Sequence, residues 1–456
     1  MTGRTHVARR RLPAIGVLAL AAVLTVSGSA RAAEAEADYQ PTFATDVASI
    51  LQQKCQVCHQ PNSIAPMSLL TYQDVRPWAR AIKARVVARE MPPWHIDTTV
   101  GIRQFKNDRS LSQEQIDTIV KWVDGGAPLG DRADLPPPVQ WPDPTAWVLA
   151  EQFGQPELIV PSEPFTVPAD GQDKWWQSTV DTGLTEERWV KAIETKPSFP
   201  GGRRVVHHAI AGLIQEEDGV IGLAASAANP DDDDDIGPGT FMEWAVGKVG
   251  EIFPDDAGKL MLPDSQIRWN IHYHPVGEEV ADDVVELGVY FYPKGQKPEH
   301  RTILHMMRAT NGGIDIPPGE IKTTQGFTVL RAPARLENFQ PHMHMRGKAM
   351  SMEAIYPDGR RELLSYVDNF QWNWHINYVY DVAVAPILPA GTMIAITAWH
   401  DNSEANRNNP DARQWVGSGS RTVDEMAHAW VDVTYLEEAD YEAELERRKA
   451  LTDNDE

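Results

Sequence analysis

Between Gly130 and Pro144 the chain changes the hydrophobic rule it obeys. Asp131, Asp134, Pro136, Pro137, Pro138, Pro142 and Pro144 crowd this stretch, and proline at such density makes a stiff, extended linker. Before it, apolar residues recur at helical spacing, as Phe43, Val47, Ile50 and Leu51 do. Beyond it that period disappears. Short runs such as Glu157 to Val160, Trp175 to Val180, Arg188 to Ile193 and Val205 to Ile214 alternate like strands between Pro, Gly and Asp clusters. A chain of 456 residues is too long for one ordinary core. The pattern predicts a multidomain protein: a small all-α domain at 33–130, a Pro-rich linker at 131–145, two all-β sandwich domains at 146–310 and 311–440, and a charged tail at 441–456.

Residues 1–32 read as an export signal. Arg9, Arg10 and Arg11 precede an apolar run from Leu12 to Val26, and small residues end it at Ala30-Arg31-Ala32. An uncleaved anchor is the competing reading. No later apolar run approaches the about 20 residues needed to span a bilayer, so the mature protein is expected in the periplasm or secreted, with peripheral membrane contact at most. Removing residues 1–32 takes away five arginines and no acid, moving the formal charge from −23 to −28. Nucleic acid is thereby disfavoured as a partner, because binding it requires a positive face.

The two cysteines, Cys55 and Cys58, both fall in Cys55-Gln56-Val57-Cys58-His59. Cys-x-x-Cys-His is the attachment motif for covalent c-type haem. Both thiols join the haem and His59 becomes one axial ligand. Met91, before Pro92 and Pro93, is the favoured second axial ligand, with Met67 and His95 as competitors. A later helix is expected to start at Ser112, with Gln115 completing a capping box, and to bury Ile116, Ile119, Val120 and Val123. This part resembles a small class I cytochrome c.

The β region carries the remaining chemistry. In Gln340-Pro341-His342-Met343-His344, the two histidines leave one strand face and can share an ion. Imidazole suits copper, zinc, iron or nickel, and a thioether as third ligand favours copper(I). His207 and His208 are adjacent, so both reach one ion only where their strand ends, bulges or twists. His272 and His274 share a face, and either can supply a third ligand. The acidic run Asp231 to Asp235 reads as a solvated loop, not a calcium site.

The order His-His, His-Tyr, His-x-His, Asp-Glu-Met over residues 146–436 resembles the copper type II ascorbate-dependent monooxygenases, which hydroxylate peptidylglycines or dopamine. The resemblance implies two jelly-roll-like domains, each holding one copper ion. By it, His207, His208 and His272 match the three-imidazole electron-storing site, and His342, His344 and Met426 match the site where oxygen is activated. It leaves His274 outside the ligands. Two departures stand out. Gln340 replaces an arginine that grips a substrate carboxylate, and His428 and Trp430 replace Asn and Tyr. A peptide carboxylate is therefore a poor candidate substrate. The expectation is a monooxygenase acting on a small organic substrate with O2, with electrons passing from a periplasmic donor through the haem to copper. The competing readings are a non-catalytic haem and copper electron carrier, and a cytochrome fused to a metal-free recognition sandwich.

Overall fold

The computed structural model describes residues 39–61, 63–141, 143, 145–216 and 239–454. Residues 1–32, expected to be an export signal, and the Asp231–Asp235 run lie outside them. The first part is helical. Thr42 caps a turn at Phe43–Val47 that runs into Ala48–Lys54, and further helices follow at Tyr72–Val75, Ala79–Val87 and Gln113–Asp124. Ser112 and Gln115 form the expected capping box. Phe43, Leu51, Val75, Ile82, Ile119 and Trp122 are the centre of a small core. One helix face differs from expectation. Trp122 is fully buried beside Ile116 and Ile119, while Val120 and Val123 pack only at the edge. Steps of three residues keep 116, 119 and 122 on one stripe.

This helical part is not self-contained. Between Ala79–Val87 and Gln113–Asp124 the chain leaves and runs across the C-terminal sandwich, bridging Ile96 to Val367 and Phe105 to Tyr380. Trp94, Ile96 and Phe105 are buried in that sandwich, with the Trp94 ring 4.8 Å from Tyr378 and 5.6 Å from Phe105. The small helical core does not cover such large apolar side chains, so they find a larger one.

The rest is β-rich and sandwich-like. In the first sandwich, a four-stranded antiparallel sheet runs Lys174–Asp181, Gln266–Tyr273, Val206–Ile214, Thr240–Ala245. Leu158–Pro161, Val285–Phe291, Arg188–Pro197 and Ala257–Met261 make the opposing layer. Val190, Ile193, Trp269, Ile271 and Val289 fill the space between. In the second, the sheet Ile321–Val329, Met393–Asp401, Gly347–Ile355, Arg361–Val367 packs on the layer built by His300–Arg308 and Ala427–Tyr435. Met307, Phe339, Met350, Ile396 and Val431 lie in its core.

A short parallel pairing of His300 and Arg301 with Ala257 and Gly258 joins a layer of each sandwich into one eleven-stranded sheet. His300–Arg308 precedes the expected junction at 310–311, yet it pairs with Ala427–Tyr435 along eight positions. The seam between sandwiches holds buried charges. Lys248 meets Glu251 at 2.7 Å and Glu243 at 3.6 Å, and Lys259 meets Glu251 at 3.0 Å and Asp432 at 3.1 Å. The chain ends in a helix at Glu438–Asn454, where Arg448 donates to the carbonyls of Ala385 and Val382. Among the described residues no helix is long and apolar enough to cross a membrane.

Candidate metal centre

His207 and His208 open the strand Val206–Ile214, and the local backbone decides where they point. Val206 pairs with Tyr273 and His208 with His272, so His207 is the extra residue of a bulge. The bulge turns two adjacent imidazoles toward one point. Their Nδ1 atoms are 3.3 Å apart, and His208 Nδ1 is 3.4 Å from His272 Nδ1. Three nitrogens held about 2.0–2.1 Å from one ion stand roughly 3.3–3.6 Å from each other. Among the described residues, this is the one group of three or more His, Cys, Asp or Glu with ligand atoms all within 4.8 Å. The donor set therefore fits a single imidazole-bound ion.

Two partners that the motifs do not reveal hold this triad. Asp173 accepts from His272 Nε2 at 3.0 Å and from His274 Nδ1 at 2.7 Å. Burial alone would raise that carboxyl, but the hydrogen bonds from both histidines hold it below the usual carboxylate range. A carboxylate on the far ring nitrogen fixes the tautomer that leaves Nδ1 of His272 free. Trp175, opposite His272 in the ladder, stacks on its ring at 4.5 Å and 8°. His274 is exposed and stays outside the triad.

The second set faces the first across the seam. Gln340, His342, Trp430 and His428 lie on one face of a ladder in which His342 pairs with His428. The His342 and His344 rings are 5.5 Å apart, and His342 lies 6.1 Å from His208. Both expected groups thus form one continuous cluster. Met426 stands one residue before the pair Met343–Ala427, and its carbonyl is 3.2 Å from His400 Nε2. It lines a cavity of about 30 Å³ with Met306, Arg308, Ile314 and His428. Glu425 holds the turn of the motif, accepting from the backbone N–H of His344 at 3.0 Å and of Arg346 at 2.6 Å. Burial pushes its carboxyl up to about 8 against these donors.

Three more histidines complete the cluster. His375 is 4.2 Å from His342, His428 stacks on His342 at 4.5 Å and 13°, and His400 lies behind Met426. Both ring nitrogens of His342, Nε2 of His375 and of His428, and Nδ1 of His400 are buried without a hydrogen-bond partner. Burial and neighbouring imidazoles lower the basicity of all of them, His207 and His344 to about 4 and His375 to about 3. They are neutral near pH 7 with lone pairs available, the state a metal requires.

The Cys55–His59 motif, expected to carry a haem, begins at the end of the helix Ala48–Lys54. Cys55 and Cys58 are unpaired thiols, and burial pushes Cys55 up to about 12. The His59 ring lies with Nδ1 3.2 Å from the Met67 carbonyl, which leaves Nε2 for an iron. The donor set fits a covalently attached haem. The His95 backbone N–H donates to the Tyr378 hydroxyl at 3.1 Å, and its ring Nε2 is buried without a partner. Met91 follows the helix Ala79–Val87, its N–H 3.4 Å from the Arg85 carbonyl.

No family model matches the chain, and no curated protein matches it. Among solved structures, PNGF-II shares 12% identity over 61% of this chain and 65% of its own, with a TM-score of 0.28. The infectious bursal disease virus Gt strain shares 8% over 65% and 79%, with a TM-score of 0.18. A Paenibacillus xanthan lyase shares 9% over 66% and 28%, with a TM-score of 0.17. The chain spans about 65% of the length of PNGF-II. Likeness this slight carries no argument about function.

Proposed function

We propose that the chain is an exported copper-dependent monooxygenase that hydroxylates a C–H bond of a small organic substrate with O2, fed with electrons through a fused c-type cytochrome unit. The observation that carries this reading is the meeting of two histidine sets, from motifs far apart in sequence, in one cluster: three converging imidazoles at the first set, and at the second a His342 whose two ring nitrogens are buried without a partner. Copper at both sets, with haem on Cys55, Cys58 and His59, would supply the one-electron steps that put one oxygen atom into substrate and the other into water. On this reading the sandwiches are jelly-roll-like.

His207, His208 and His272 would hold the first ion, and His342, His344 and Met426 would hold the second. Asp173 keeps His272 in the right tautomer, and Glu425 holds the turn that starts at His344 through the backbone N–H groups of His344 and Arg346. The Asp424 carbonyl, 3.1 Å from His344 Nδ1, leaves Nε2 of that ring to a ligand. Docking of Trp94 and Phe105 brings the helical unit against the sandwich that holds the second set. Gln340 is spent on Glu243 and Lys248 and offers no cation to a carboxylate substrate.

One observation favours a second reading, a haem and copper electron carrier without hydroxylation. The cavity beside Met426, at about 30 Å³, has room for about one or two waters. The full chain matured with haem and loaded with copper, reduced and exposed to isotopically labelled O2 with a periplasmic extract, separates the two. A product carrying one labelled atom is the expected result. Reoxidation of the metals with no labelled product supports the carrier.

A further inference from the structure

The buried charges of the seam do not cancel. Glu243, Glu251 and Asp432 face Lys248 and Lys259, and each of the five is at most 8% exposed. Three carboxylates against two ammonium groups leave one negative charge in excess, and taking up one proton removes the cost of burying it. Around them, Arg335 pairs with Glu337 and with the half-buried Asp256, both at 2.8 Å, and Lys106 is exposed at the edge. Those two cations and two carboxylates balance, so the excess stays with the five. Burial alone would raise the Glu251 carboxyl, but Lys248 and Lys259 hold it below its usual range. Burial raises Asp432 to about 6 and also raises Glu243, whose Oε1 has no hydrogen-bond partner.

These groups form a column. Asp432 meets Lys259 at 3.1 Å, Lys259 meets Glu251 at 3.0 Å, Glu251 meets Lys248 at 2.7 Å, and Lys248 meets Glu243 at 3.6 Å. Gln340 braces the last link, accepting from Lys248 at 3.2 Å and donating to Glu243 at 2.5 Å. At one end, Glu251 and Asp432 line a cavity of about 50 Å³ with Asn338 and the exposed Lys106 and Ile252, enough room for water. The other end lies beside the histidines. Gln340 stands two residues before His342, and Glu243 two residues before Ala245, the ladder partner of His208, so each shares a sheet face with its histidine. Hydroxylation with O2 consumes protons: RH + O2 + 2e− + 2H+ gives ROH + H2O, the electrons coming through the haem. We infer that this column is the proton supply of the proposed monooxygenase, with Glu243 holding the proton on the histidine side and Asp432 facing the water of the cavity. Each proton leaves the Glu243 carboxyl for the oxygen atom that becomes water. It is replaced through Lys248, Glu251, Lys259 and Asp432. The inference rests on the hydroxylation reading.

The first test reads the stored proton without turnover. Infrared difference spectra compare full-length, haem-loaded, copper-free wild type with Glu243→Gln at pH 7. A protonated-carboxyl band that shifts in D2O and is lost in the variant is expected. If no such band is lost, the inference is overturned, because Glu243 is then ionised and the column only structural. Should Glu243→Gln not fold, Glu243→Asp replaces it: the band should move, and one that stays in place overturns the inference. The second test loads copper, reduces the protein and follows proton uptake with an indicator dye on mixing with O2. Two-electron reduction of O2 takes up two protons with or without substrate. Uptake should be about 100-fold slower in Glu243→Gln and partly restored in Glu243→Asp, with electron passage from haem to copper unchanged. Unchanged uptake in Glu243→Gln overturns the proton supply and leaves the hydroxylation reading intact. A wild type that consumes no O2 overturns both.

Discussion

At the scale of single residues, the cluster depends on side chains outside the proposed ligand sets. Asp173 spans His272 and His274, and only the first of these lies in the triad. Asp173→Asn keeps the shape but presents an amide where the carboxylate fixed the His272 tautomer. First-site copper affinity should fall about 10- to 100-fold, read by competition with a chelator of known affinity. His274→Ala removes the exposed partner and should change affinity far less. Glu425 works the same way at the second site, accepting two backbone N–H groups of the motif turn.

At the scale of elements, close approach and docking set the positions. Gly347 follows the His-x-His turn, and a Cβ there would stand 2.6 Å from Met343 Cβ and 2.9 Å from Phe370. Phe370 covers His375, so the crowding reaches the cluster. Gly347→Ala should cost about 1–3 kcal/mol in chemical denaturation and weaken the second copper. Trp94 anchors the helical unit's excursion onto the second sandwich. Trp94→Ala should cost about 3–5 kcal/mol and slow electron passage from reduced haem to copper, followed by stopped-flow absorbance.

At the scale of the whole molecule, one shared sheet and a buried charge network join the sandwiches. Lys248 and Lys259 neutralise carboxylates that otherwise would be stranded between them. Lys248→Met removes one partner and should destabilise by about 3–5 kcal/mol, seen as a lower Tm. The histidines set the acid limit. His207, His305, His344 and His400 are lowered to about 4 by burial, below their ordinary 6.5. The unfolded chain therefore binds more protons between these values. Their contribution to the stability of the metal-free protein is complete above pH 6.5 and is lost as pH falls toward about 4. Glu425, raised to about 8, contributes with the opposite slope. Tm measured across pH 4–7 should fall on the acid side, and copper should reduce the fall near neutrality by holding the imidazoles deprotonated.

Local signals in the sequence determined much of this. Helical spacing, the Ser112 capping box and the proline-rich divide placed the helices before the strands, because those features act within a few residues. His342 and His344 were visible as a pair because strand geometry alone puts them on one face. The His207–His208 pair needed a bulge, and only the pairing with the strand Gln266–Tyr273 decided that one exists. Asp173, Trp175, His375 and His400 carried no motif spacing, since they reach the cluster from separate strands and loops. The contiguity of the two histidine sets, the excursion of Trp94 and Phe105 and the membership of His300–Arg308 were likewise tertiary decisions. Each depends on apolar area and ladder hydrogen bonds between segments distant in sequence, which no local pattern encodes.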